Sequence, residues 1–509
     1  MNTHSSTLSK LAKSAAIVLL ATIFGNSIGL LAEVIIARSL PPSVYGEITL
    51  AYTIVFSLGT ISLLGVHQGI TRQISAAEAG KRQIQILYAG FSLVLLSAVV
   101  AIGGLYLSRG WIANFMSADY VYEYLLLLSP FLIVYPLSRA ALATLRAQKR
   151  TLPAVIAQHI GGRGIAFTSL LLFIIGGREF SGAIVYWIVG PLFALVIALY
   201  FIVTSELLRS PFETPPDKKT VRKLWDFSWP LAIGSGIFLL LNRVDILMIG
   251  YFLPSNQVGY YRAVQPLKKI ATFALGSFTF LFLPVATEYY TEGDTDGLDQ
   301  IFTITTKWIL LITLPPVLLF ALFSPDVIKI LFGDNYLPAA PVLTILSAGL
   351  LFRAVSGLDG DMVKAIDRPR IELFSGALGL LSNIILNFLL IPTFEISGAA
   401  IATVSGYIIY NGVELIWIYH LTGGSPFSVN IAKHIGVMSV LAILVSGILP
   451  SPVGLVGLIA VGISLTLLQP VVLILTSSVD EADLDLVRQI ESKTGKNLEI
   501  VKKIVKKGV

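Results

Sequence analysis

Long apolar stretches separated by short polar ones run through almost the whole of this chain. A helix of about 20 apolar residues crosses roughly 30 Å of hydrocarbon. The pattern predicts about fourteen such helices, near 12–37, 46–68, 84–107, 122–145, 152–175, 181–205, 227–250, 260–286, 302–323, 339–362, 371–392, 397–420, 432–449 and 453–477. The linkers are short and leave no room for a separate soluble domain. Lys10 and Lys13 precede the first stretch as they would in a signal peptide, but that stretch is too long and lacks a convincing cleavage site. It reads as a retained span, and the predicted fold is an all-α polytopic membrane protein.

Composition sharpens this reading. Hydrophobic residues make up 55% of the 509 positions and charged residues only 13%, against about 25% charged in ordinary soluble domains. No water-facing surface is covered that thinly. The chain has no cysteine, which excludes disulfides, thiolate nucleophiles, Cys-type zinc sites and iron–sulfur clusters. Five histidines, His4, His67, His159, His420 and His434, lie too scattered for a metal site. The net charge of +6 sits between the apolar runs, where it sets orientation rather than gripping nucleic acid.

If the N-terminus is cytoplasmic, Arg72, Lys81, Arg82, Arg146, Lys149, Arg150, Lys218, Lys219, Arg222, Lys223, Arg368 and Arg370 all fall in inner segments. Only Arg38, Arg109, Arg178, Arg262 and Lys329 fall outside. The positive-inside rule therefore predicts both termini in the cytoplasm of a multi-pass protein of the plasma membrane. Trp225, Trp229 and Trp308 on the inner side, with Trp111, Tyr120 and Tyr122 on the outer, fit interfacial belts.

The chain also repeats itself. Leu40-Pro41-Pro42-Ser43-Val44-Tyr45-Gly46 resembles Leu253-Pro254-Ser255-Asn256-Gln257-Val258-Gly259-Tyr260, Leu137-Ser138-Arg139-Ala140 resembles Leu351-Phe352-Arg353-Ala354, and Phe180-Ser181-Gly182-Ala183 resembles Ile396-Ser397-Gly398-Ala399. Three matches in order at one spacing indicate an internal duplication. Six spans per repeat is an even number, so both halves enter from one side as parallel repeats, which is a transporter architecture. The expected organisation is a six-helix bundle over 1–210, a second over 211–425, two appended spans in 426–478 and a cytoplasmic tail over 479–509. In that tail Leu498, Val501, Ile504 and Val505 oppose Lys502, Lys503, Lys506 and Lys507. Such a helix suits the anionic lipids of the inner leaflet, and a merely solvated tail is the alternative.

Ala37-Arg38-Ser39-Leu40 with Tyr45-Gly46, Asp245-Ile246-Leu247-Met248-Ile249-Gly250 with Val258-Gly259-Tyr260-Tyr261, Leu331-Phe332-Gly333-Asp334-Asn335-Tyr336, and Gly398-Ala399-Ala400-Ile401-Ala402-Thr403 carry a family resemblance. The chain resembles the polysaccharide and lipid-linked oligosaccharide flippases of the multidrug/oligosaccharidyl-lipid/polysaccharide exporter superfamily. The resemblance implies a lipid-linked glycan, carried on a polyprenyl or dolichyl phosphate or pyrophosphate, turned from the cytoplasmic to the outer leaflet. Glycan-assembly enzymes would be possible partners. The motifs mark the fold and do not identify the sugar.

Ionisable side chains within a bilayer cost about 2.5 kcal/mol or more on insertion scales, so each needs a cavity or a partner. Lys268 and Lys269 fall about ten residues into the eighth span and suit a wet cavity, unless Pro266 shortens the span and puts them at an interface. Arg163, flanked by Gly161, Gly162 and Gly164, suits an unwound turn of a transport site or a structural arginine tied to freed carbonyls. Arg139 and Arg353 occupy equivalent repeat positions; they could flank a pyrophosphate, or pin a cytoplasmic gate. Glu33 and Asp245 are likewise equivalent. Arg243 pairing with Glu33 would make an outer gate, whereas the two carboxylates could instead bind a coupling proton or sodium ion.

Asp294-Thr295-Asp296-Gly297-Leu298-Asp299 hints at a calcium loop but lacks the ligand spacing, and reads better as a helix cap. Gly25 and Gly29 suit close helix packing. No nucleotide loop, zincin helix, nucleophile elbow or dinucleotide fingerprint is present, so the chain reads as a transporter without a cofactor and not an enzyme. The rivals are a multidrug or cation-coupled exporter, which would want acids and aromatics, and a membrane glycosyltransferase or ligase. The latter would need a catalytic carboxylate pair and an extramembrane domain.

Overall fold

Hydrocarbon offers no partner to a backbone N–H or C=O, so a spanning segment must satisfy its own backbone as a helix or join a closed barrel. The apolar periodicity here supports only the first. The computed structural model describes residues 2–77, 80–108, 110–112, 120–204, 216–449, 452–476 and 478, and its regular elements are all helical. The basic tail beyond 478 and Arg109 lie outside the described residues. Ten of the described helices are long and apolar enough to cross a membrane, or eleven with one bent pair. The protein is an all-α, multi-pass membrane protein.

The described chain falls into two compact units, Met1–Arg262 and Ala263–Val509. The first holds α1 (Asn2–Ser39), α2 (Pro42–Ser62), α3 (Val66–Ala76), α4 (Lys81–Leu107), α5 (Val121–Leu128), α6 (Phe131–Ala147), α7 (Thr151–Ile175), α8 (Glu179–Val203), α9 (Lys218–Phe252) and the first half of α10 (Ser255–Ala271). Pro130 sits at the bend of 42° between α5 and α6, where its ring and missing N–H disfavour an unbroken helix. Inside α7, Ile156–Gly162 winds as a π-helix that ends at Arg163. The chain stays wound beside these glycines rather than opening into an unwound turn, and a π segment of this kind often marks a functional position.

Small residues set the packing, because lipid is as apolar as leucine and close approach is what distinguishes a helix neighbour. Ala140, Ala143 and Ala147 lie on one stripe of α6 and are buried with Val66, Ile70 and Ile74 of α3 and Ile86 and Ala89 of α4. The other side of α6 buries Ala141, Leu142 and Leu145 with Ala154, Ala157, Ala198 and Ile202. Gly25 of α1 packs on His159. Asp217 caps α9 by accepting from the Thr220 amide at 2.9 Å. Bonded this way outside the membrane, its carboxyl is held below the usual carboxylate range.

The second unit continues with α11 (Phe273–Glu292), α12 (Thr295–Leu322), α13 (Ser324–Phe332), α14 (Ala340–Ser356), α15 (Asp359–Ala365), α16 (Pro369–Thr422), α17 (Val429–Ile448) and α18 (Leu455–Leu475). Asp294 accepts from the Gly297 amide at 2.8 Å, so the acidic turn is a cap of α12. Helix α16 is two helices joined at Glu395, whose φ of 51° and ψ of −137° break the winding where two spans are predicted. The core of this unit joins Phe282 and Ala286, Phe302 and Leu310, Met362 and Val363, and Ile418.

Buried polar contacts fasten the last two helices to this core. His434 Nε2 meets Gln469 Oε1 at 2.7 Å, and Gln469 Nε2 donates to the Leu311 carbonyl. Asp326 Oδ1 accepts from the Val453 amide at 2.7 Å, and Lys307 Nζ donates to the Ser478 carbonyl at 3.2 Å. A polar link inside a membrane bundle contributes about 0.6–2 kcal/mol. Gln469→Leu deprives both His434 and the Leu311 carbonyl of a partner. It is expected to lower the thermal stability of the purified protein by about that amount, read as a fall in Tm, whereas Leu467→Ala on the exposed side of α18 should leave Tm unchanged.

Candidate functional site

Two clusters of charge lie in the first unit, and they differ in how their charges are met. At the start of α2 and α10 the chain brings repeat-equivalent residues face to face. A Cβ on Gly46 would overlap the carbonyl oxygen of Ser255, and one on Gly259 would overlap that of Pro42. Pro42 and Ser255 are themselves equivalent under the repeat, as are Gly46 and Gly259. The contact is therefore reciprocal, and it needs glycine on both sides because backbone meets backbone.

Beside this seam, Arg262 Nη2 meets Glu33 Oε1 at 2.6 Å, with side chains only 9% and 13% exposed. Tyr45 Oη donates to Glu33 Oε2 at 3.2 Å. The equivalent acid Asp245 accepts from Tyr261 Oη at 2.9 Å through Oδ2. Each repeat thus sets a tyrosine from its own Leu-Pro turn against its own carboxylate. Ser255 Oγ donates to Glu47 Oε1 at 3.5 Å.

The pairing of Glu33 with Arg243 is corrected by this geometry. Glu33 takes Arg262, which sequence places in an outer loop but which lies buried on α10. Arg243 instead stacks over the Phe56 ring at 4.8 Å. Phe56 belongs to an aromatic group with Tyr52, Phe131, Tyr135 and Trp187, in which Tyr52 and Trp187 stack at 4.4 Å and Phe131 and Tyr135 at 4.8 Å. That group joins α2, α6 and α8, and nothing in the sequence pattern isolates its members from other membrane aromatics.

The second cluster is cationic. Arg139 and Arg146 of α6 and Arg163 of α7 act electrostatically on one another and on His67 and His159. Arg163 donates to Asn26 Oδ1 and Arg146 to Gln158 Oε1, each at 2.7 Å. None of the three arginines has an ion-pair partner among the described residues. His67 and His159 each bury an Nδ1 without a hydrogen bond. Sequence reasoning names Arg139 and Arg163 but misses that Arg146 and two histidines join them, since five elements of spacing separate these residues.

The remaining candidates lie in the second unit. Arg353 stacks over Tyr407 at 5.6 Å. Lys268 is half-buried and Lys269 exposed, both in the last turn of α10 before the break at Thr272, where a cation complements the helix dipole. Among the described residues no three His, Asp or Glu side chains converge as a metal site would require.

A family model described as "Polysaccharide biosynthesis protein" matches residues 11–290, more than half of the chain. The chain belongs to this polysaccharide biosynthesis family. A second model, MatE, matches residues 230–389. Among curated relatives, an uncharacterized membrane protein of Methanocaldococcus jannaschii is 33% identical over 40% of this chain and 39% of its own length. The probable low-salt glycan biosynthesis flippase Agl15 of Haloferax volcanii is 23% identical over 77% of this chain and 80% of its own. The lipid II flippase MurJ of Bacillus subtilis is 21% identical over 70% and 72%.

Solved structures extend the fold likeness across the family and its neighbours. A lipid II flippase MurJ in an inward closed conformation superposes with a TM-score of 0.71 at 16% identity, covering 89% of this chain and 98% of that one. An inward-facing multidrug resistance transporter of the MATE family gives 0.63 at 15% identity, over 80% and 98%. The fold is shared with both.

The two arginines of the first cluster have separable energetics. Arg262→Ala leaves the Glu33 carboxylate without its counter-ion, at a cost of about 3–5 kcal/mol for a buried pair broken on one side. Arg243→Ala removes a cation–π contact of about 0.5–2 kcal/mol. Thermal melts of the purified protein should therefore show a larger fall in Tm for Arg262→Ala, with recovery in the reversed pair Glu33→Arg with Arg262→Glu. Equal falls, or no recovery on reversal, would mean that the ion pair does not hold this cluster.

Proposed function

We propose that the protein is a flippase that carries a lipid-linked glycan from the cytoplasmic to the outer leaflet. The observation that carries this reading is the cluster of Arg139, Arg146 and Arg163, three guanidinium groups without a paired carboxylate among the described residues. Arginine forks match phosphate oxygens two at a time, and a phosphate or pyrophosphate linking lipid to glycan supplies the missing negative charge. The family membership and the flippases among the relatives support the same substrate class. A transporter needs no catalytic residue, and none is assigned.

In this reading the parallel repeats work by alternating access, with the six-helix bundles 1–210 and 211–425 as the moving parts. Both termini face the cytoplasm of the plasma membrane. The lipid carrier is a polyprenyl or dolichyl phosphate or pyrophosphate, and the basic tail meets anionic lipids of the inner leaflet. Glycan-assembly enzymes supply the substrate. Lys268, Lys269 and Arg353 add positive charge along the path. Glu33 and Asp245 act in the outer gate: both oxygens of Glu33 are already engaged, which favours a gate over an ion site there.

The MatE match and the aromatic group of Tyr52, Phe56, Phe131, Tyr135 and Trp187 favour a drug exporter as the second reading. Against it, Arg243 already covers the Phe56 ring, so a cationic drug would meet a guanidinium.

The test is reconstitution into liposomes with a fluorescent polyprenyl-pyrophosphate glycan and an impermeant quencher. Wild-type protein should expose the inner-leaflet label to the quencher, and Arg139→Ala and Arg163→Ala should each slow this by at least about tenfold, equivalent to one lost charge-assisted contact of about 1.5–3 kcal/mol. Arg139→Lys, which keeps the charge and loses the fork, should fall between. Full activity in both alanine variants would remove the phosphate from this cluster.

A further inference from the structure

Helix α15 is seven residues long and stands between two left-handed positions, Gly357 with φ of 73° and Asp367 with φ of 56°. Its first residue, Asp359, is 5% exposed, and Glu414 on the second arm of α16 is 0% exposed. These are carboxyl groups in the interior of a membrane protein, where a lone negative charge is costly. Three observations say how the pair is met.

One oxygen of each is satisfied. Asp359 Oδ1 accepts from the Gly360 amide at 3.0 Å, and Glu414 Oε1 accepts from Ser375 Oγ at 2.8 Å. The other oxygen of each, Asp359 Oδ2 and Glu414 Oε2, is buried without any hydrogen-bond partner. The space over Gly360 is where the surroundings converge: a Cβ there would lie 3.4 Å from Tyr410 Oη and 3.5 Å from Glu414 Oε2. Tyr410 Oη also acts on Glu414, and Glu372 Oε1, a third carboxylate facing the same space, would lie 3.8 Å from that Cβ. Glu414 is also the charge that acts most strongly on Asp359.

The neighbouring charges do not neutralise the pair. Lys364 of α15 pairs with Glu372 at 2.9 Å and Asp361 at 3.4 Å, and acts on Glu414 from there without forming an ion pair to it. Arg353 of α14 acts on Asp359 from its place over Tyr407 without forming an ion pair. On α11, which packs against α15, Phe282 and Ala286 are buried and Glu288 is exposed. On α12, Lys307 is directed to the Ser478 carbonyl.

We propose that Asp359 and Glu414 hold one proton between them and form a proton-binding site in the second unit. A single hydrogen on either unpartnered oxygen, donated to the other, satisfies both at once. Two like charges in one buried site do not both ionise, so one member stays protonated. Release of that proton leaves two carboxylates in repulsion and drives α15 away from α16 about its left-handed ends. The site is separate from the arginine cluster, and the proton does not depend on what the protein transports.

Infrared difference spectroscopy of the purified full-length protein reads the proton directly. Wild-type protein should show the carbonyl absorption of a protonated carboxylic acid at neutral pH, lost on alkalinisation. Asp359→Asn and Glu414→Gln should each shift the frequency of that absorption or remove it, and the double variant should remove it. An absorption at the wild-type frequency in either single variant would mean that the two groups do not share the proton and would overturn the proposal. So would its loss when sodium is added to wild-type protein at fixed pH, which would make the site one for a metal cation.

The movement has its own readout in this thiol-free chain. A cysteine at Met362, which is fully buried, reports opening of α15 through its rate of alkylation, divided by the rate in unfolded protein to remove thiol ionisation. An opening that releases one proton grows about tenfold per pH unit. The corrected rate should rise by that factor in the wild-type background and stay flat in the Asp359→Asn, Glu414→Gln double variant. A flat rate in the wild-type background would overturn the movement, and a rise in the double variant would assign it to another group. Should a variant fail to fold, the wild-type spectra with and without sodium still decide the proton. Flipping by the reconstituted protein is scored separately, so failure of the substrate reading leaves these outcomes intact.

Discussion

Every charge within this bundle must find a partner, because lipid supplies none, and that constraint organises the molecule. Glu33 is met by Arg262 and Tyr45, Asp245 by Tyr261, and Lys307 by a backbone carbonyl. Arg243 is met by an aromatic face. Once these are accounted for, two groups stand out as incompletely met: an arginine cluster in the first unit and a carboxyl pair in the second. A charge deficit in a membrane is a statement about what binds there. In the readings proposed above, an anion completes the first group and a proton the second.

The reciprocal glycine contact shows how the duplication is used. Gly46 lies on the Ser255 carbonyl and Gly259 on the Pro42 carbonyl, so one backbone geometry serves twice, once in each direction. A contact of this kind involves no side chain and stores little packing energy of its own. The ion pair of Arg262 and Glu33 beside it supplies the strength. Separating the seam would expose both carbonyls and split a buried pair.

Much of this was legible in the sequence. The helices follow the apolar runs, the break at Glu395 falls between the spans predicted at 371–392 and 397–420, and the glycines around Arg163 accompany a π-helical turn. The family resemblance was carried by the same Tyr-Gly and Gly-Tyr turns that form the seam. Partner choice was not legible. Arg243 and Arg262 both lie within reach of a carboxylate on paper, and only the rotation of α9 and α10 decides that Arg262 reaches Glu33. Asp359 and Glu414 belong to no motif. Glu414 reaches this place because α16 folds back at Glu395, which brings Ser375 and Glu414 together across its two arms.

The two repeat-equivalent arginines show how far the halves have diverged in chemistry while keeping one fold. Arg139 sits among the guanidinium groups of Arg146 and Arg163, beside the rings of His67 and His159. Arg353 acts instead on Asp359 and Tyr410. The same backbone position thus contributes to an uncompensated positive field in one unit and partly offsets a negative one in the other.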